Sequence, residues 1–402
     1  MLNGKKCVDL DAKLPLAYGF QKRGYEVVFL AWGTLSKDPS KLTQVDKVLS
    51  KKRLQIYTLD RILGLEKMTA LSHKLFPFKE KLTFFHRVIY KSFQFLAYCF
   101  SARLKSKIQS IYNEALFVSA ISTHDNAYSN KGEQLSYQLA LQPSTFFIGL
   151  PTVVWPHYYL DHILPFDAFI VNSTNEKIEL QNQLGFQGKV ISEGCPSFEK
   201  SYIERFNTTK NVLRFVQKEK TILLIMVNRY NAFNKNFPVI EIFKKFIQNA
   251  IQQEYIVVVK YHPADMHDDF AEFRSNKYFK ETKLPIELLV HSVGFAVTLF
   301  STAILKTVAL DVPSFYLINN DLRKLFRKNS EFSNAVYFKD TKNFKKTWID
   351  DYCTPIENFE QFVERTNKEL THLKKENFNR DFHAEGALER TVDNIIELCQ
   401  NP

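Results

Sequence analysis

A chain of 402 residues with 45% hydrophobic residues can fill two cores, which suits two domains of about 200 residues each and excludes a largely disordered protein. The formal net charge of +11 calls for an acidic partner, and because no helix-turn-helix, zinc-finger, RNP or KH pattern is present, no nucleic acid is expected. Five cysteines at positions 7, 99, 195, 353 and 399 show neither a CxxC pair nor metal-ligand spacing, and no apolar run is long enough for a membrane span, so a cytoplasmic chain with reduced thiols is expected.

The start of the chain is irregular. Lys6-Cys7-Val8 is too short for a firm first strand, whereas residues 14–23 read as a helix closed by Gly24 and residues 26–32 as a strand. A loop covers 33–44, and a second short strand covers 54–59. Across 74–110, lysines and arginines interleave with phenylalanines, the pattern either of an interfacial helix that touches an anionic membrane surface or of a helix packed on its own domain with a solvated basic face. A βα rhythm follows. The strand 116–122 leads into Thr123-His124-Asp125-Asn126, and extended segments 146–150 and 152–155 lead to Pro156-His157. Further on come a strand at 167–172, a helix at 176–184 stopped by Gly185, and a strand at 189–192 running into Gly194-Cys195-Pro196.

Residues 197–220 are polar without a strong period and read as a linker. A second sheet opens at 221–227, with its first helix at 239–253. The stretch Tyr255-Ile-Val-Val-Val-Lys260-Tyr-His262-Pro263 is apolar on both faces, as a parallel strand covered by helices must be, and the proline ends it. A second apolar run, 294–300, ends at Ser301-Thr302, where Ser301 reads as an N-cap and Ile304, Leu305 and Val308 as the buried stripe of the next helix. The two features are expected on successive strands of one sheet, with their tips on one rim, where open α/β sheets bind ligands and hydroxyls with free N–H groups suit phosphate. A strand at 314–318 and helices at 356–374 and 385–399 complete the chain.

Lys260, His262 and Pro263 followed by Ser301 and Thr302 resemble the Lys-x-His-Pro and Ser/Thr motifs of GT-B glycosyltransferases. The similarity is greatest to bacterial surface-polysaccharide enzymes that use CMP- or CDP-activated donors: sialyl-, polysialyl- and Kdo-transferases, and the glycerol-phosphate polymerases. It spans residues 115–320. The passage "helix, Arg-Gly-Tyr, strand" near the start also resembles GT-B amino-terminal domains. The fold implied is α/β with two Rossmann-like domains and a donor cleft between them: 1–196 on the acceptor side, 197–220 as linker, and 221–402 as the nucleotide-donor domain with terminal helices, the last crossing back to the first domain.

The resemblance implies an enzyme without cofactor or metal that transfers a sugar, an acidic one from a CMP donor, to a capsular or other surface glycan, with inversion, at the inner membrane face. Lys260, His262, Pro263, Ser301 and Thr302 would then grip the donor phosphate. Asn228-Arg229 follows the first strand of the second sheet and shares its rim. Glu287, in Leu-Pro-Ile-Glu-Leu-Leu, would accept from ribose hydroxyls, unless it is only a helix-start glutamate facing the dipole. The acceptor base is sought across the cleft, at His157 and then Asp125. Two departures stand out: there is no Glu-Glu-Gly-type acidic motif and no Trp-His-Gly loop. A CDP-alditol phosphotransferase, a UDP-N-acetylglucosamine 2-epimerase-like isomerase and a non-catalytic glycan- or nucleic-acid-binding module therefore remain as alternatives. Asp9-Leu-Asp11 has the form of a metal-binding DxD but lacks a preceding strand, and the cluster Asp265, His267, Asp268 and Asp269 reads as a solvated acidic helix start.

Overall fold

The structure is a computed structural model that describes residues 2–3, 13–31, 55–58, 117–122, 146–151, 167–182, 186–208, 217–226, 239–261, 269–299, 301–328, 348–366 and 368–401. Its described strands form three parallel sheets in two arrays, the first array holding separate sheets of three and four strands. In the first, β1 (Leu2–Asn3), β2 (Val28–Ala31) and β3 (Gln55–Thr58) pair in that order, and β4 (Phe117–Ser122), β5 (Phe146–Pro151), β6 (Ala168–Ile170) and β7 (Lys189–Ile191) pair in sequence. Strand β1 lies alongside β4, so the order reverses between them. In the second array, β8 (Thr221–Ile225), β9 (Ile256–Lys260), β10 (Phe279–Thr282), β11 (Phe295–Thr298), β12 (Ser314–Leu317) and β13 (Thr354–Ile356) form one parallel sheet of order β10-β9-β8-β11-β12-β13. This is the doubly wound order, and its direction reverses between β8 and β11.

The apolar runs behave as helix-covered strands should. Ile222, Leu223, Leu224, Val257, Val258 and Val259 are all 0% exposed. Helices α1 (Leu14–Lys22), α2 (Thr174–Asn182) and α4 (Val239–Gln252) lie close to the expected spans, whereas α3 (Lys200–Glu204) falls where a linker was expected. On α4, Phe243, Phe246, Ile247 and Ala250 recur at helical spacing and pack inward. The segment 197–220 was read as polar, yet its described residues, 197–208 and 217–220, form short helical turns that bury Phe198, Tyr202, Ile203 and Phe206.

The structure corrects three readings. The two rim features are not on successive strands, because β10 intervenes in the sequence and β8 separates β9 from β11 in the sheet. Strand β10 escaped the pattern because Phe-Lys-Glu-Thr is an edge strand with one half-wet face, pairing with β9 alone. The expected helix at 356–374 is instead β13, then α8 (Phe359–Arg365) and α9 (Lys368–Phe382), reached after α5 (Ile286–Leu289), α6 (Leu305–Ala309) and α7 (Asn320–Lys328). Pro355 is tolerated in β13 because that strand is an edge, and the Asn358 side chain accepts from Gln361 N–H at 2.9 Å to start α8. A strand that no sequence pattern marked, Leu2–Asn3, pairs with Leu30 and Ala31, while residues 6–8 lie outside the described part.

The final helix, α10 (Ala387–Gln400), crosses back onto α1. Gly19 permits the approach, since a Cβ there would sit 2.7 Å from Val392 Cγ2. At the crossing, Cys195 N–H donates to Phe382 O at 3.0 Å. Gly194 is in the left-handed region (φ +101°), and a Cβ would come within 2.3 Å of His383 O. Arg390 joins both passing segments, donating to Glu193 O at 3.0 Å, His383 O at 2.8 Å and Glu385 O at 2.6 Å. No described helix is long and apolar enough to cross a membrane.

Candidate functional site

The strand order reverses between β8 and β11, and at such a reversal open α/β sheets form a ligand crevice at the carboxyl ends of the strands. Its floor is set by Thr298, the last residue of β11 and fully buried. The Thr298 hydroxyl donates to Ile225 O, at the end of β8, at 2.9 Å. The same oxygen accepts from Ser301 N–H at 3.1 Å. One side chain thus closes the gap between the two strand ends and folds the chain back into the turn that carries Ser301.

Ser301 is the N-cap expected from the sequence. It is extended (φ −75°, ψ 127°), and its Oγ accepts from Ala303 N–H at 3.4 Å. Thr302–Ile304 form a 3₁₀ turn that leads into α6, and Ile304, Leu305 and Val308 are buried as the stripe required. Ser301 and Thr302 remain half-buried at the rim.

Lys260 ends β9, in register with Ile225 of β8. It is not a solvated strand-end lysine. Only 8% of it is exposed, and its Nζ donates to Tyr261 O at 3.3 Å. The next residue, Tyr261, is tied down by its hydroxyl, which donates to Glu281 Oε1 at 2.7 Å.

Glu287, on α5, is 4% exposed and forms an ion pair with Lys306 from the first turn of α6. Burial acts to raise its pKa, but the charge of Lys306 and its hydrogen bond outweigh that. With a smaller contribution from Lys260, they hold the carboxyl below its ordinary value of 4.5. Glu287 is therefore a buried, ionised group and not a solvated helix-start glutamate. Lys306 was missed by sequence reasoning, because its partner lies nineteen positions earlier and no local pattern links them. Thr298 was missed because threonine is an ordinary strand residue, and only the strand order gives its hydroxyl two partners.

The structure thus gathers Lys260, Glu287, Ser301, Thr302 and Lys306 at the carboxyl rim of one sheet. One ammonium, Lys306, pairs with the Glu287 carboxylate, and Lys260 adds a second positive charge to the rim that carries the two hydroxyls, a composition suited to an anion that also carries hydroxyl groups. His262, Pro263, Asn228 and Arg229 lie outside the described residues, as do Asp125, His157, the segment 74–110, Asp9, Asp11 and residues 265–268.

No known protein family and no curated protein matches the chain. Solved structures do. MnaA of S. aureus in complex with UDP aligns over 100% of this chain and 96% of its own, at 12% identity and TM-score 0.59. The wall teichoic acid polymerase TagF aligns over 100% and 88%, at 12% identity and TM-score 0.57. The UDP-GlcNAc 2-epimerase of Methanocaldococcus jannaschii aligns over 100% and 98%, at 12% identity and TM-score 0.52. At such identities the likeness speaks to architecture, and it agrees with the strand orders above: the chain has two Rossmann-like domains in the GT-B arrangement.

Proposed function

We propose that this protein is a glycosyltransferase that moves a sugar, an acidic one carried on a CMP donor, to a growing surface glycan without a metal ion and with inversion. The observation that carries the reading is the Ser301-Thr302 turn at the β8/β11 reversal, with Lys260 and the Glu287–Lys306 pair on the same rim. In this reading, residues 221–402 hold the nucleotide, residues 1–196 hold the acceptor, and 197–220 joins them. The bond between the anomeric carbon and the donor phosphate breaks while the acceptor oxygen bonds to that carbon. Lys260, His262, Pro263, Ser301 and Thr302 receive the departing phosphate, with charge-assisted hydrogen bonds that strengthen as its charge grows. Asn228 and Arg229 serve the nucleotide from the end of β8. His157, or failing it Asp125, takes the acceptor proton. The segment 74–110 holds the enzyme on the anionic inner membrane face, near its acceptor.

A second reading has support from the fold likeness to TagF and to the UDP-GlcNAc 2-epimerase: transfer of a phospho-alcohol from a CDP-linked donor, or isomerisation of a UDP-sugar, at the same rim. Thermal stabilisation by CMP, CDP, UMP, UDP and GDP separates the readings, since a ligand that binds only the folded state raises stability in proportion to RT ln(1 + [L]/Kd). A CMP-led order supports sialyl- or Kdo-type transfer, a CDP-led order phospho-alditol transfer, and a UDP-led order the isomerase. If none of the five stabilises the protein, the nucleotide reading is wrong. His262→Ala and Ser301→Ala are each expected to weaken binding by about 1–3 kcal/mol. Turnover is expected to persist in EDTA, and substitution of the true base should lower kcat by roughly 10²–10⁴ with donor affinity nearly intact.

A further inference from the structure

Thr298 is a polar residue at a fully buried strand end, where the preceding positions of β11, Ala296 and Val297, are apolar. A valine would have nearly the same outline and would suit a strand as well. It could make neither of the two bonds that the hydroxyl makes, to Ile225 O at 2.9 Å and from Ser301 N–H at 3.1 Å. Those bonds reach two different elements. Ile225 O belongs to β8, whose Ile225 is in register with Thr298 on one side and with Lys260 of β9 on the other. Ser301 N–H belongs to the turn that leaves the sheet. The turn is therefore tied to β8 as well as to β11, and β8 is the strand that stands between it and Lys260. The Lys260 ammonium is held as well, donating to Tyr261 O at 3.3 Å, while Tyr261 N–H donates to Thr282 O of β10 at 3.1 Å. The ends of β9, β8 and β11 are thus levelled against one another at the rim.

We propose that Thr298 is a positioning residue of the phosphate grip: its hydroxyl holds the Ser301-Thr302 turn at a set distance from Lys260 across β8, so that ammonium and hydroxyls meet one phosphate together. The inference rests on the nucleotide reading above and adds to it a residue that no motif marks. Thr298 touches no ligand and acts through the backbone of Ser301. An anion bonded from two elements at once loses much of that bonding when one of them shifts by about an ångström.

The test compares CMP with cytidine, and UMP with uridine, by calorimetry, so that within each pair only the phosphate differs. The parent should prefer the nucleotide of at least one pair by about tenfold or more, the usual effect of a hydrogen bond to a charged group. Thr298→Val should bring that preference down to about threefold or less while the nucleoside binds as in the parent, and Thr298→Ser, which keeps the hydroxyl, should retain it. A merely structural role would instead weaken nucleotide and nucleoside equally. Should Thr298→Val fail to fold, Thr298→Cys takes its place, because a thiol fills the same space and hydrogen-bonds weakly, and its preference should fall in the same way. Amide exchange in the parent needs no variant: Ser301 N–H should exchange about tenfold or more slowly than Thr302 N–H, which has no partner among the described residues. The positioning role is overturned, with nucleotide binding left standing, by any of three results: a phosphate preference unchanged in Thr298→Val or Thr298→Cys, a loss shared equally by nucleoside or by Thr298→Ser, or a Ser301 amide that exchanges as fast as that of Thr302. Equal binding of nucleotide and nucleoside by the parent overturns the phosphate grip and this inference with it. If the parent binds none of the four compounds, the nucleotide reading falls as well.

Discussion

Two buried glutamates occupy two regions of this molecule and are handled differently. At the rim of the second sheet, Glu287 is matched by a cation, Lys306. At the crossing between the domains, Glu199 is 7% exposed and is matched by neutral donors, accepting from Leu388 N–H at 2.7 Å and from the Ser201 hydroxyl. Leu388 lies in the first turn of α10, so Glu199 sits at the positive end of a fourteen-residue helix and satisfies one of its orphan donors. The contrast teaches what each carboxylate is for. A backbone-capping carboxylate fixes a chain crossing and depends on geometry, whereas a carboxylate matched by an ammonium keeps its charge while buried.

The largest effect expected from breaking this contrast is at Lys306. Lys306→Met leaves a buried carboxylate without its counter-ion and should cost about 3–5 kcal/mol near pH 7, read by chemical denaturation. The pH dependence should change sign. In the parent the Glu287 carboxyl lies below 4.5, so the pair's contribution is complete above that value and is lost as pH falls through the lower folded value. Without Lys306, burial dominates and raises the folded pKa, so the variant's deficit should be greatest at neutral pH and shrink toward pH 4. A deficit that is constant across this range would show that Glu287 is not the group responsible.

Glu199→Ala should cost less, about 1–3 kcal/mol, through loss of the α10 cap and of the Ser201 contact. It should leave nucleotide affinity unchanged, because its partners, Leu388 N–H and the Ser201 hydroxyl, are not rim groups. A loss of affinity matching that of Ser301→Ala would merge the two regions into one functional unit.

Lys375 sharpens the comparison from a third position. Its Nζ donates to Val308 O at 3.0 Å and to Ala309 O, and it pairs with Asp311 at 3.4 Å, so a lysine of α9 caps the end of α6. Burial lowers its pKa against the pull of Asp311. Lys375→Met should cost about 1 kcal/mol in denaturant unfolding, the range of a capping contact.

The smallest effect belongs to the exposed pairs that join α1 to α10, Lys22–Glu389 and Arg23–Asp393. Arg23→Ala should leave the melting temperature unchanged, since exposed ion pairs contribute little and are screened by salt. A clear drop would mean that this contact, and not the Gly19 packing or Arg390, holds the helix on its partner.

The sequence by itself determined the fold class and much of the rim. Runs such as Ile256–Lys260 are apolar on both faces because helices cover both sides of the sheet, and that pattern is local and legible. The Ser301 cap was legible for the same reason, since a cap and the stripe after it lie within a few residues of one another. Edge strands were not, because β10 and β13 each pair on one side only and carry polar residues or proline without penalty. The tertiary structure alone decided which strand ends meet. The doubly wound order sets Ile225 beside Thr298 and Lys260, so that a threonine hydroxyl closes the β8–β11 gap. It also brings Lys306 to Glu287. Charges buried together interact through space at distances that no residue spacing records, so the group that keeps Glu287 ionised became visible only once the helices were packed.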